Sequence, residues 1–191
     1  MDIKLCSITK QFDKTIVFQD LTIIFSEGQI NCLMGTSGIG KTTIMNLLLG
    51  IIKPDSGNIL GINGKRFAAV FQEDRLIEHW DAIHNVKLVC AKQISQTIIE
   101  EEFRKVCLEE YKDKPVIDLS GGMRRRVAIV RAMLAPSDII ILDEPFKGLD
   151  EDLKKKVIHY IKDKTKGKTV IIVTHDKEDV VSLGGKRISL N

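Results

Sequence analysis

Short apolar runs punctuate the chain: IKLCSI, TIVF, LTIIF, INCLM, AAVF, DIIIL and TVIIV. β-Branched residues dominate them, and several are apolar throughout rather than alternating with polar positions. A strand wetted on one side alternates, whereas a strand covered on both faces does not. The runs therefore predict a mainly parallel sheet with both faces buried. Helical periodicity falls between them, at about 41–50, 82–91, 96–110, 122–135, 150–165 and 176–183. Strands alternating with helices predict an α/β fold. Two regions depart from the alternation. Around residues 76–118 two helical patterns follow one another without a strand, which reads as a helical insertion in the core. The first sixty residues carry several strands and few helices, which reads as a small antiparallel sheet at one edge.

Composition narrows the class. A chain of 191 residues suits a single domain spanning residues 1–191 and buries enough surface to need no disulfide or metal staple. Hydrophobic residues at 43% and charged residues at 29% exclude a disordered or fibrous chain. The net charge, 29 − 26 = +3, is too mild to argue for nucleic acid. Four cysteines (Cys6, Cys32, Cys90 and Cys107) are scattered without a CxxC pair, so they are expected to pack as small hydrophobes. The N-terminus lacks the apolar core of a signal peptide, and no apolar stretch approaches the ~18–20 residues of a membrane span. A soluble, cytoplasmic chain is expected, carried to any membrane by a partner.

Candidate chemistry begins at Gly35-Thr36-Ser37-Gly38-Ile39-Gly40-Lys41-Thr42, with Thr43 next. It fits G-x-x-x-x-G-K-[ST], with an apolar strand running in and a helix running out. Its glycines permit backbone turns in which successive N–H groups converge on phosphate oxygens. The helix N-terminus adds the positive end of its dipole. Lys41 would bridge β- and γ-phosphates, and the Thr42 hydroxyl would ligate Mg²⁺. Downstream, the strand DIIIL ends in Asp143-Glu144-Pro145. Adjacent acids after a buried strand also serve to cap a following helix. Beside a phosphate loop, Asp143 becomes a carboxylate for the Mg²⁺ of Thr42, and Glu144 a general base for an attacking water.

About twenty residues before the acids stands Leu119-Ser120-Gly121-Gly122-Met123. With the loop and the acid pair in this order, nearly the whole chain resembles the ABC-type ATPases. The resemblance implies a P-loop NTPase core with an N-terminal antiparallel β subdomain. It also implies a helical subdomain, about 76–134, carrying the signature motif. ATP and Mg²⁺ are the implied cofactors. The resemblance makes Phe12 the aromatic that stacks on adenine, although Phe12 also suits a strand-face core position. Gln72 matches a glutamine that contacts Mg²⁺ and senses the γ-phosphate. Asp150, in Gly148-Leu149-Asp150, matches a loop that crosses a dimer interface, and His175 matches a histidine on the γ-phosphate. Ser120, Gly121 and Gly122 offer a second anion site at a helix N-terminus, which in this family closes over ATP held by a second subunit.

That frame implies two ATPs between two subunits, most simply a homodimer, and a transmembrane permease. An importer would add a solute-binding protein, and no nucleic acid is expected. The chain would sit peripherally on the inner face of the membrane. Val70-Phe71-Gln72-Glu73-Asp74-Arg75-Leu76, Trp80, Asn85-Val86 and Met123 resemble the nitrate/sulfonate/taurine importer branch. The chain ends soon after His175, so no C-terminal regulatory domain is expected. Exporter subunits share the ATPase motifs and stand as one alternative, and a non-transport ABC-type ATPase acting on nucleic acid or ribosomes stands as the other. Arg124, Arg125 and Arg126 are expected on a solvated or interfacial helix face, and the lysines of 154–168 on a solvated one.

Overall fold

The computed structural model describes residues 1–190. Its strands are β1 (Ile3–Phe12), β2 (Thr15–Phe25), β3 (Ile30–Met34), β4 (Ser56–Leu60), β5 (Phe67–Val70), β6 (Ile139–Asp143), β7 (Thr169–Val173) and β8 (Lys186–Ser189). Its α-helices are α1 (Lys41–Leu48), α2 (Ala82–Lys87), α3 (Gln96–Lys105), α4 (Gly121–Leu134), α5 (Glu151–Lys164) and α6 (Lys177–Leu183). The sheet order β5-β6-β7-β3-β8 is parallel throughout, and an antiparallel sheet β2-β1-β4 stands beside it.

The apolar strands explain how the layers stack. Every residue of β6 and β7 is buried, and alternate residues serve opposite faces. Ile139, Ile141, Ile171 and Val173 join Leu33 in one cluster with α1 and the antiparallel sheet. Ile140, Leu142, Val170 and Ile172 join the other, with Val127 and Val130 of α4 and Val157 of α5. Burying each such side chain contributes about 1.5–3 kcal/mol. A one-residue slip would exchange the two faces and is therefore strongly excluded. The helical patterns of 76–118 form α2 and α3. Their Ile83, Val86, Ile99 and Phe103 share the cluster of Ile140 and Leu142 rather than forming a core of their own.

Several expectations need correction. TIVF and LTIIF are one strand, β2, which bends at Asp20 (φ 54°) amid shifts in its register with β1. The strands β4 and β8 lie at sheet edges and are mostly exposed, so they carry no apolar run to read. The helix expected to reach residue 110 stops at Lys105, and Cys107 has φ 54°. The arginines of α4 do not form a solvated face. Arg125 and Arg126 are 5% and 6% exposed, and Arg126 donates to the Val106 and Cys107 carbonyls. The lysine run is also not uniformly solvated, because the half-buried Lys154 lies between Asp176 and Asp179.

Candidate functional site

Strand β3 is buried from Asn31 to Met34 and delivers the chain into the glycine loop. Gly38 (φ 81°) and Gly40 (φ 104°) take left-handed conformations that favour glycine. A side chain at Gly40 would also strike the Phe18 ring and Val17 of the antiparallel sheet. Helix α1 starts at Gly40 with no side-chain cap. The other five α-helices begin on a bonded cap: Asp81, Ser95, Ser120, Asp150 and Asp176. The first N–H groups of α1 are thus left for an anion. Lys41 Nζ folds back on the loop, donating to the Gly35 and Thr36 carbonyls at 2.8 Å each. These carbonyls are weaker partners for an ammonium than phosphate oxygens.

Strand β6 ends at Asp143, whose Oδ2 lies 3.5 Å from the Thr42 hydroxyl. Asp143 is 4% exposed, and burial, then the neighbouring Glu144 charge, push its pKa up. The two hard oxygens form a donor set suited to Mg²⁺. Glu144 sits in the left-handed region (φ 46°), unusual for a non-glycine residue and a mark of functional sites. Its N–H donates to Val173 O at the end of β7, which keeps the acid beside His175. His175 Nδ1 lies 2.9 and 3.0 Å from the two Glu144 carboxylate oxygens. This hydrogen bond, reinforced by the Glu144 charge, raises the imidazole pKa. Behind them, Thr174 donates to Asp179 (2.6 Å), and Lys154 Nζ reaches Asp176 (2.7 Å) and Asp179 (2.6 Å).

One cleft of about 830 Å³ gathers Ser37, Gly38, Gly40, Lys41, Thr42 and Thr43 with Gln72, Asp143, Glu144 and His175. All lie at the carboxyl ends of parallel strands, where α/β sheets bind ligands. Lys147 also lines this cleft and was not anticipated. Its signal was a lysine three residues beyond Glu144. An adjoining cleft of about 570 Å³ runs from Thr42, Gln72 and Asp143 to Gly121 and Gly122. A Cβ on Gly122 would meet Gly148 O at 3.0 Å, while one on Gly121 would meet open space. Several expected residues lie outside the main cleft. The Phe12 ring, 45% exposed, lies at the end of β1 under the Lys10 ammonium. Asp150 accepts from Leu153 N as the cap of α5. Ser120 likewise caps α4, accepting from Met123 N, and is exposed.

Fold and loop together define an α/β domain of the phosphate-loop class. The chain belongs to the ABC transporter family, whose model matches residues 18–147. It is 35% identical to the spermidine/putrescine import ATP-binding protein PotA of Mycoplasma capricolum, over 99% of this chain and 58% of that protein. It is 31% identical to the PotA of Fusobacterium nucleatum, over 100% of this chain and 55% of that protein. The chain thus spans little more than half the length of these relatives. Among solved structures it resembles the dimeric structure of MJ0796, a bacterial ABC transporter cassette. There the TM-score is 0.86 and the identity 28%, over 98% of this chain and 94% of that one. The expected nitrate/sulfonate/taurine branch finds no support among these relatives. Among the described residues, no helix is long and apolar enough to cross a membrane.

Proposed function

We propose that this chain is a single ATPase domain, with residues 76–134 as its helical subdomain, that powers solute import through a transmembrane permease. The observation that carries the reading is the shared cleft. It joins an uncapped helix N-terminus, a loop lysine, a hydroxyl beside a buried carboxylate, and a second acid with its histidine. ATP is the substrate. The amides of Gly35 to Thr43 and the Lys41 ammonium bind its phosphates, and Phe12 stacks on adenine. Thr42, Asp143 and Gln72 would hold Mg²⁺, which would supply charge neutralisation to the bound phosphates.

Glu144 takes the proton of the attacking water. Each of its oxygens keeps a lone pair free while it accepts from His175 Nδ1. His175 passes its outer nitrogen to the γ-phosphate, and the Glu144 contact fixes its ring. Ser120, Gly121 and Gly122 close on the nucleotide of a second copy, with Asp150 at that interface. The dimer, peripheral on the inner membrane face, would act with a solute-binding protein. The names of the relatives point to a polyamine as solute.

The test is Glu144→Gln, which keeps the shape of the cleft and removes the base. The variant should bind ATP as tightly as the parent, hydrolyse it at least about 100-fold more slowly, and accumulate as an ATP-dependent dimer. Hydrolysis at the parental rate would refute the assignment of the base.

A further inference from the structure

Helix α4 begins at the signature and, about one and three turns on, sends two arginines into the loop behind β5. Arg125 Nη1 donates to Phe71 O at 2.5 Å and Nη2 to Gln72 O at 2.6 Å. The same Nη1 lies 3.2 Å from the Asp74 carboxylate. Arg131 Nη2 donates to Asp74 O at 3.0 Å and Nη1 to Arg75 O at 2.9 Å. Six residues of helix rise about 9 Å, which matches the reach of this short loop. Carbonyls 71, 72, 74 and 75 are therefore all bonded to one helix.

The loop has no regular structure, so its carbonyls need partners from elsewhere. A guanidinium fork serves two carbonyls in one fixed geometry, which a lysine cannot do. Arg125 also lines the cleft that connects Gln72 and Asp143 with Gly121 and Gly122. Gln72 itself is exposed and reaches the nucleotide cleft. Whatever moves Gln72 must carry the arginine-bound backbone with it, and that backbone is bonded to the helix bearing Ser120 and the two glycines.

We propose that Arg125 and Arg131 are positioning residues that make the Gln72 loop and the signature helix one body. Engagement of Gln72 at one nucleotide and presentation of Ser120, Gly121 and Gly122 to the partner's nucleotide then become a single motion. This deepens the functional reading above and rests on it. Arg126 offers the contrast. It is about as buried as Arg125, and it donates to the Gly122, Val106 and Cys107 carbonyls.

The experiment measures ATP-driven dimerisation of the 191-residue chain by analytical ultracentrifugation in the Glu144→Gln background. ATP affinity of the monomer is measured separately, by fluorescent-nucleotide titration below the dimerising concentration. Arg125→Gln should weaken dimerisation about 10- to 100-fold, the range for charge-assisted hydrogen bonds, with monomer affinity unchanged. Arg125→Lys should recover part of the loss, and Arg131→Gln should repeat it more mildly. If Arg125→Gln does not fold, Arg125→Lys and Arg131→Gln carry the same comparison. Dimerisation of the Arg125 and Arg131 variants at the parental level would overturn the clamp alone. So would an equal loss of monomer affinity, which marks a general structural defect. A parent that binds no ATP would overturn the functional reading and the clamp with it.

Discussion

Replacing Lys154 by Met should cost this protein about 3 kcal/mol, because it removes the cation from a buried cluster and leaves the anions. The Lys154 side chain is 12% exposed and that of Asp179 5%, and their ion pair is 2.6 Å long. Asp176, on the other side, is 2.7 Å away and 36% exposed. Burial pushes the lysine pKa down, but the bonds to Asp176 and Asp179 outweigh it and the net shift is upward. The cation therefore stays charged across the accessible pH range. Breaking a buried pair from one side costs about 3–5 kcal/mol. The lower end applies here, because Asp179 keeps its bond from the Thr174 hydroxyl and Asp176 is partly wet. At about 2–4 °C per kcal/mol for a chain of this size, the melting temperature should fall by about 6–12 °C. Urea unfolding at neutral pH should show a lower midpoint at an unchanged slope. Adding Asp179→Asn should restore about 2 kcal/mol of the loss, since the stranded charge goes with it. A loss below about 1 kcal/mol, typical of exposed pairs, or strict additivity in the double variant would refute this account.

Two further outcomes follow from the same site. His175 is paired with Glu144 and its pKa is raised, so the pair stabilises the fold below the ordinary histidine value of about 6.5 and fades as pH rises through the raised one. An NMR titration should place His175 above 6.5, with Glu144→Gln bringing it down; identical curves would dissolve the pair. Mixing Ser120→Arg chains with Lys41→Ala chains should recover partial ATPase activity that neither variant has alone, because one composite site stays intact. No activity from a heterodimer verified to have formed would count against a signature acting in trans.

Much of the fold was legible because its determinants are local. The runs of β6 and β7 are apolar on both faces, and only a covered sheet accommodates such a run. The edge strands were not legible for the opposite reason: SGNIL and KRIS face solvent, and pairing with a distant strand is what makes them extended. The division of β2 into two runs came from Gln19 and Asp20. The polar pair reads as a turn, yet the chain passes through it by a local bend and continues in the same sheet.

The candidate site divides in a similar way. The loop 35–42 and the Asp143–Glu144 pair each end an apolar strand, so spacing along the chain was enough to bring them into view, whereas His175, also after an apolar strand, came into view only through the family resemblance. The contacts that hold them were not in view. Arg125 meets Phe71 and Gln72 across sequence separations of 54 and 53 residues, and Lys154 meets Asp176 across 22. An arginine run read in isolation takes a wet face by default, because charged side chains are rarely buried. The correcting signal was nevertheless present. Residues 127–130 of α4 are all apolar and all buried, so that stretch has no solvent side. A helix apolar all round belongs to an interior, and a cation on its preceding turn must reach for acceptors or lose its solvation uncompensated. Arg125 and Arg126 reach loop carbonyls for that reason, and the acceptors within range of Arg125 are those of the loop that carries Gln72.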